Sequence, residues 1–247
     1  MVQDKSKETD FFDTFSAAKE YDVFTPYGYK SIIKTYMKLT GAVPGKKMRV
    51  IDLGCGTGAF TRQYKKKYEK DAVFYGLDLS HKSAALASEL SGDIHYCTGD
   101  IEQCCFEDHT FDVVLFSGVL HHFADYESCL RESCRILKSG GCMISYDPNL
   151  KNPFMWLYRH PSSPFFSKKG KTDNERLLTA AELDSLLKKT GFVNVTARCI
   201  SGVTFRYVES AAGRLLLPIY NLFEILLGLT PLAAKYGSFV IAYGEKA

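Results

Sequence analysis

The residues able to do chemistry recur at intervals through the first 150 positions. Gly54-Cys55-Gly56-Thr57-Gly58 follows the short apolar run Val50-Ile51-Asp52-Leu53, so a strand is expected to enter a turn made almost wholly of glycine and small residues. Glycine there lets the backbone turn tightly and approach a ligand more closely than a Cβ would permit. The spacing is G-x-G-x-G, not the G-x-G-x-x-G of dinucleotide sites, and Asp52 stands two residues before the first glycine. A carboxylate in that position repels a pyrophosphate and suits a ligand carrying a positive amino group. Asp78 and Asp100 close later apolar runs in the same manner, and Phe111-Asp-Val-Val-Leu-Phe-Ser117 leads into Gly-Val-Leu-His121-His122. An imidazole with a near-neutral pKa can take a proton from a hydroxyl or phenol, although one of the two histidines could equally orient a loop or pack. Any one of the acids alone reads as a helix cap or turn aspartate. Their joint placement at successive strand ends favours a shared site.

The elements that must hold these groups follow from periodicity. Strands are expected at Met48–Leu53, Val73–Asp78, Ile94–Cys97, Phe111–Ser117, Gly141–Asp147, Phe192–Ile200 and Ser238–Tyr243. Helix patterns separate them. Ala59–Lys70 places Phe60, Tyr64 and Tyr68 on one face, and Ser80 caps a helix to Leu90. Asp125 caps another that reaches Leu137 and stops at Lys138-Ser-Gly-Gly141, and Thr179-Ala-Ala-Glu182 forms a capping box before a helix ending at Gly191. Alternating strands and helices predict an α/β fold: a doubly wound, mostly parallel seven-stranded sheet, with ligand bound beyond the carboxyl ends of its strands. One domain, 1–247, is expected: an N-terminal helical lid (1–45), a cofactor-binding core (46–150) and two substrate-side insertions (151–178 and 202–236). Lys151–Lys171, with Pro153, Pro161, Pro164 and Gly170, reads as irregular.

Four blocks together resemble the class I S-adenosylmethionine-dependent methyltransferases, in particular the small-molecule and lipid group similar to ubiquinone-biosynthesis enzymes. They are Val50–Gly58, Tyr75-Gly-Leu-Asp78-Leu-Ser80, Thr98-Gly-Asp100-Ile-Glu with Phe111–Phe123, and Leu130-Arg-Glu-Ser-Cys-Arg135-Ile-Leu-Lys-Ser-Gly-Gly141. S-adenosylmethionine bears an ammonium and a sulfonium, which fits Asp52. The resemblance implies a Rossmann-like fold and this cofactor. It implies cofactor roles for Asp52, Gly54, Cys55, Gly56 and Gly58, for Asp78 and Leu79 at the ribose, for Asp100 and Ile101 at the adenine, and for Ser117 at the methionine part. Tyr21 resembles a lid tyrosine that reaches the cofactor. His121 and His122 fall where the substrate nucleophile would face the methyl group.

Composition narrows the partners. With 46% hydrophobic and 24% charged residues the chain is a folded globular protein, and a net charge of +3 is too mild to indicate nucleic acid. Asp147-Pro-Asn149 and Asn152-Pro153 invite comparison with the N-P-P-Y motif of nucleobase methyltransferases, but that motif follows the fourth strand, where this chain has Ser117-Gly-Val-Leu-His-His. Eight scattered cysteines lack zinc spacing, so no metal is expected, and the charged first residues lack the apolar core of a signal peptide, which makes the cytoplasm the default location. Phe154–Lys169 mixes aromatics with Arg159, Lys168 and Lys169. Leu215–Leu229 is unusually apolar and reads as a core helix, an interface between copies, or a cap over an apolar acceptor near a membrane surface. The expected activity is methyl transfer to a small-molecule acceptor, hydrophobic or lipid-linked. The competing readings are an inactive methyltransferase-like scaffold and a nicotinamide-dependent oxidoreductase. Self-association is left open.

Overall fold

Val50, Ile51, Leu53 and the run Val113–Phe116 have no measurable exposure, as strands covered on both faces require. A computed structural model describes residues 5–16, 22–40, 47–67, 72–123, 125–166, 175–208 and 210–247. Its strands are β1 (Met48–Leu53), β2 (Ala72–Asp78), β3 (His95–Thr98), β4 (Phe111–Ser117), β5 (Leu137–Pro148), β6 (Phe192–Ile200) and β7 (Phe239–Lys246). They form one seven-stranded sheet in the order β3-β2-β1-β4-β5-β7-β6. Only β7 runs antiparallel, against both β5 and β6. Strand order reverses between β1 and β4, so the glycine turn after β1 and the His121-His122 segment after β4 emerge side by side at the carboxyl edge.

The helices are α1 (Lys5–Ser16), α2 (Pro26–Thr40), α3 (Ala59–Lys65), α4 (His81–Leu90), α5 (Glu127–Ile136), α6 (Pro153–Arg159), α7 (Ala180–Lys189), α8 (Ala211–Leu227) and α9 (Ala233–Tyr236). Ile32 and Tyr36 of α2, Phe60 and Tyr64 of α3 and Tyr220 of α8 cover one face of the sheet. Leu130 and Ile136 of α5 and Leu183 and Leu187 of α7 cover the other. Among the described residues, no helix is long and apolar enough to cross a membrane.

Several local expectations change. The helix before β5 ends at Ile136, and Leu137 already pairs with Phe111. Thr110 N–H donates to Ile136 O at 2.8 Å and the Lys138 ammonium reaches Asp112 at 2.7 Å, so Lys138–Gly141 joins an irregular strand start and Gly140, at φ 73°, is no helix cap. Ser80 does cap α4, accepting Ser83 N–H at 3.0 Å. Asp125 accepts the Glu127 N–H one residue outside the cap position taken by Tyr126. The capping box is half made: Thr179 accepts Glu182 N–H at 3.3 Å, but Glu182 turns to the Tyr126 hydroxyl and Arg176. The segment after Lys151 is helical where irregularity was expected. Asn152 accepts the N–H groups of Phe154 and Met155, and Pro153 occupies the first turn of α6, where a missing N–H costs nothing. α3 ends at Lys65, and Tyr68 and Tyr21 lie outside the described residues, as do Lys168 and Lys169.

Glu224, fully buried on α8, fastens the second insertion to the sheet. It accepts the Asn152 amide at 2.9 Å, the hydroxyls of Ser201 at 2.9 Å and Ser238 at 2.7 Å, and Gly202 N–H at 3.1 Å. Glu224→Leu would leave three donors unmet, since Ser201 keeps the Glu224 backbone carbonyl at 2.7 Å, and a loss of about 3 kcal/mol is expected in urea unfolding. A variant as stable as the wild type would show the cluster to be dispensable.

Candidate functional site

The glycine turn is held from behind by β2. Gly54 N–H and Cys55 N–H both donate to Leu77 O, at 2.7 and 3.1 Å, and Gly58 N–H closes the turn on Cys55 O at 2.9 Å. Gly54 (φ 75°) and Gly56 (φ 53°) both occupy the left-handed region, which costs a residue bearing a Cβ roughly 1–2 kcal/mol. Their surroundings differ. A Cβ on Gly54 would strike Val119 at 2.5 Å, whereas one on Gly56 would meet nothing within 4 Å. Gly54 is therefore demanded by packing, and Gly56 leaves backbone open to a space that a ligand can enter.

That space is an open cleft of about 1400 Å³, counting the solvent at its mouth. Gly54, Cys55, Gly56, Asp78, Leu79, Ile101 and Ser117 line it. His121, His122, Arg159, Glu175 and the rings of Phe24, Tyr146 and Phe205 also line it, as do Glu8, Phe11 and Phe12 of α1. Gly58 is absent from this wall: it serves as the left-handed cap of α3, and a Cβ on it would strike the Tyr96 hydroxyl at 2.3 Å.

Asp78 projects at the mouth of the turn, its two carboxylate oxygens accepting Gly56 N–H at 2.7 Å and Ser80 N–H at 2.9 Å. Burial pushes its pKa up to about 6, against the pull of those two bonds. A ligand that donates hydroxyl groups to Asp78 would favour the ionised form, so its binding would be linked to proton release. Affinity for such a ligand is accordingly expected to fall as pH drops below about 6, approaching tenfold per unit, and to level off above it. Calorimetry from pH 5 to 8 checks this, with Asp78→Asn removing the dependence.

Asp52 and Asp100 stand apart from the cavity wall. Asp52 is fully buried beneath the turn, where it accepts the Thr61 hydroxyl at 2.6 Å and lies beside Ser117. Burial raises its pKa to about 7, opposed by hydrogen bonding from Thr61 and Ser117. Asp100 caps the short turn Ile101–Gln103 by accepting Glu102 N–H at 2.9 Å, and Lys5 of α1 bridges Asp100 and Glu102. Ser80 donates to Asp13, also of α1, at 2.5 Å, so that helix is tied down at both flanks of the cofactor side.

Across the cavity, Asp147 Oδ1 lies 3.0 Å from His121 Nδ1 and accepts the His121 backbone N–H at 3.1 Å. His121 Nε2 points toward Glu175, 4.0 Å away, and Glu175 forms an ion pair with Arg159. Burial, with His122 and Arg159 adding to it, holds the His121 pKa well below the ordinary value, and burial followed by Arg159 brings His122 down to about 3. Burial drives Asp147 the opposite way, well above the carboxylate range. Both imidazoles are therefore neutral at physiological pH. Nitrogen and oxygen donors of His121, His122 and Glu175 lie within 4.8 Å of one another, a grouping with no trace in the sequence spacing, and Arg159 already supplies Glu175 with a counter-charge.

Sequence reasoning missed Asp147, Glu175 and α1's Glu8 and Phe12. Asp147 ends its strand as Asp78 does, and that parallel was a usable signal. Glu175 lies in a region without periodicity and offered none. Trp156 stacks on His160 at 5.3 Å and lines neither this cavity nor its neighbour. Arg159 and the two histidines do converge.

A family model described as a methyltransferase domain matches residues 51–145. The demethylmenaquinone methyltransferase of Staphylococcus aureus is 28% identical over 225 residues, covering 82% of this chain and 92% of its own. The ubiquinone/menaquinone biosynthesis C-methyltransferase of Vibrio campbellii is 25% identical over 212 residues, covering 76% and 81%. In fold, the chain is similar to Haemonchus contortus phosphoethanolamine N-methyltransferase 2, solved with S-adenosylmethionine (TM-score 0.67, 19% identity, 100% of this chain and 60% of that one). A Thermotoga maritima S-adenosylmethionine-dependent methyltransferase is comparable (TM-score 0.63, 20% identity, covering 97% and 99%).

Proposed function

We propose that the chain is a class I S-adenosylmethionine-dependent methyltransferase whose acceptor is a small apolar ring compound of quinol type that loses a hydroxyl proton to His121. The observation that carries this reading is the buried His121 and Asp147 pair, set in an aromatic wall opposite the glycine turn. With Asp147 ionised, Nδ1 carries the imidazole proton, leaving Nε2, which faces Glu175 on the cavity wall, as the acceptor. A ring hydroxyl deprotonated there pushes electron density onto the neighbouring ring carbon, which takes the methyl group; that carbon then gives up its own hydrogen as a proton and the oxygen regains one, which restores the aromatic quinol. S-adenosylmethionine supplies the methyl group on a sulfonium that leaves as a neutral thioether. The rest is alignment by the chain's own groups: the turn and Asp78 fix one reactant, and Phe24, Tyr146 and Phe205 stack the other. The Staphylococcus and Vibrio relatives are both described by quinone substrates, which supports the same acceptor class.

On the cofactor side, the open backbone at Gly56 with Gly54 and Cys55 would carry the amino-acid part, together with Asp52 and Ser117. Asp78 would take the ribose hydroxyls and Leu79 and Ile101 the adenine faces. Asp100 would exchange Lys5 for the adenine amino group.

The acceptor reading also accounts for the outer face of α8. Leu215, Ile219, Leu222 and Leu226 are more than half exposed, with Arg214 and Lys235 at the two ends of the segment. A lipid surface covers such a face and its anionic headgroups meet the cations. This would place the enzyme on the cytoplasmic side of a membrane. Leu222→Glu is expected to abolish co-sedimentation with anionic vesicles while leaving methyl-donor affinity intact. Retained sedimentation, or a dimer that this substitution dissociates, would count against lipid.

The test of the acceptor uses radiolabelled S-adenosylmethionine with 1,4-naphthohydroquinone, histamine and phosphoethanolamine as parallel acceptors. Methylation of the ring carbon is expected. Transfer to either amine alone would sink the proposal.

A further inference from the structure

Three side chains of metal-ligand type meet on the wall of the cleft. One ring nitrogen or carboxylate oxygen from each of His121, His122 and Glu175 lies within 4.8 Å of the other two. A tetrahedral ion bound at about 2.0–2.1 Å holds its donors roughly 3.4 Å apart, so side-chain rotations of about an ångström bring these three onto one centre.

The donors are already turned toward such a centre. Asp147 Oδ1, 3.0 Å from His121 Nδ1, holds the ring so that Nε2 faces Glu175, 4.0 Å away. A carboxylate behind the far nitrogen is what fixes the tautomer and ring plane of a metal-bound histidine. The Glu175 side chain is only 5% exposed and pairs with Arg159 through Oε1, while its Oε2 has no hydrogen-bond partner among the described residues. A buried carboxylate oxygen left in that state is destabilising until a donor or a cation reaches it. The His122 ring lies beside that of His121, centroids 4.2 Å apart and planes inclined by 38°, so the two imidazoles stand together on the turn Leu120–His122. All three residues line the cleft, which leaves a fourth position open to it. Two imidazole nitrogens, one carboxylate oxygen and an open position form a donor set for zinc, cobalt or nickel, whereas magnesium and calcium require more oxygen.

We infer that His121, His122 and Glu175 form an exchangeable site for a divalent transition-metal ion of the zinc class. The Arg159 guanidinium sets a like charge beside the ion and competes for Glu175, so the ion is held reversibly and is no permanent part of the fold. Its binding stands on the donors alone. Its effect on turnover rests on the acceptor reading above: an ion on His121 Nε2 takes the lone pair that would receive the hydroxyl proton, and methyl transfer stops until the ion leaves.

The test uses the full-length protein, stripped with EDTA and saturated with S-adenosylhomocysteine. Calorimetry with zinc chloride is expected to show one site per chain, and magnesium chloride to show none at roughly a hundredfold higher concentration. Glu175→Gln keeps the size of the side chain and removes its charge, and His122→Phe keeps a ring and removes its nitrogens. Each should weaken zinc at least tenfold. Asp147→Asn touches no ion and should weaken zinc by about ten- to a hundredfold through the orientation of His121. Melting temperature and donor affinity, read on the same samples, establish that each variant is folded. Cobalt chloride should give the intense visible absorption of a four- or five-coordinate ion, and Glu175→Gln should bleach it. The lack of a stoichiometric zinc site, an affinity unmoved by both ligand substitutions, or magnesium binding as well as zinc would overturn the inference. Zinc bound with the expected variant pattern that fails to slow methylation of 1,4-naphthohydroquinone would indict His121 as the base and leave the metal site standing. Failure to bind zinc beside normal turnover would indict the metal site alone.

Discussion

Asp147→Asn is expected to lower kcat for methyl transfer roughly a hundredfold while affinity for S-adenosylmethionine, measured by calorimetry, stays as it was. The amide keeps the shape of the carboxyl group and can still accept the His121 backbone N–H and Nδ1–H. What it removes is the charge that stabilises an imidazolium once the acceptor's proton has arrived. Because burial raises the Asp147 pKa, the same loss should appear in the wild type on acidification. Its kcat is expected to climb with pH as Asp147 ionises, and the Asn variant is expected to be flat over that range. His121 contributes no limb of its own near 6.5, since burial, His122 and Arg159 keep it neutral to well below that value. A variant with wild-type kcat and only a lowered melting temperature would reduce the pair to a packing contact.

Gly56→Val is expected to weaken S-adenosylmethionine binding by about 3 kcal/mol, roughly a hundredfold, in a protein that still folds. A Cβ there would meet nothing within 4 Å in the free protein, so the main folding cost expected is that of a left-handed backbone. The branched side chain would occupy the opening above the turn and move the backbone that carries the N–H to Asp78. Gly54→Ala offers the contrast. There the added methyl group strikes Val119, and the expected loss is of stability first and binding second. Thermal melts with and without ligand separate the two: the Gly56 variant should lose the ligand-induced rise and keep its starting melting temperature within a few degrees. An undiminished ligand-induced rise would move the cofactor site elsewhere.

The contrast between those glycines marks where sequence pattern stops being informative. Phe111–Ser117 and Phe192–Ile200 were legible to the residue because a run of apolar or alternating side chains has one good solution, a strand. The carboxyl-edge placement of Gly54, Asp78 and Ser117 came from strand order. Gly140-Gly141 misled because two glycines after a helix resemble a stop signal, while the actual stop at Ile136 is imposed by Leu137 pairing across to Phe111. Asn152-Pro153 is a helix start by its own chemistry and could have been read as one. Glu175, Arg159 and the α1 side chains reach the cavity through tertiary packing alone. Asp52 and Asp100 look identical to Asp78 in sequence, yet Asp52 lies under the turn beside Thr61 and Asp100 is engaged by Lys5, because each strand end meets different neighbours in the folded chain.

The antiparallel strand near the chain's end has a consequence for how the molecule is made. β7 lies between β5 and β6, so until β7 has been synthesised β5 is paired on one side only and β6 has no partner strand. During translation the ribosome would hold a sheet of five strands whose β5 edge is open, next to a sixth strand with nothing to pair with. Unpaired edges recruit other chains. The last strand must then insert between them, a long-range pairing that makes assembly slow and late. Chaperone demand in the cell should track the time between the appearance of β6 and the arrival of Phe239–Lys246, and synonymous codons that delay those residues should lower the soluble yield without changing a single contact.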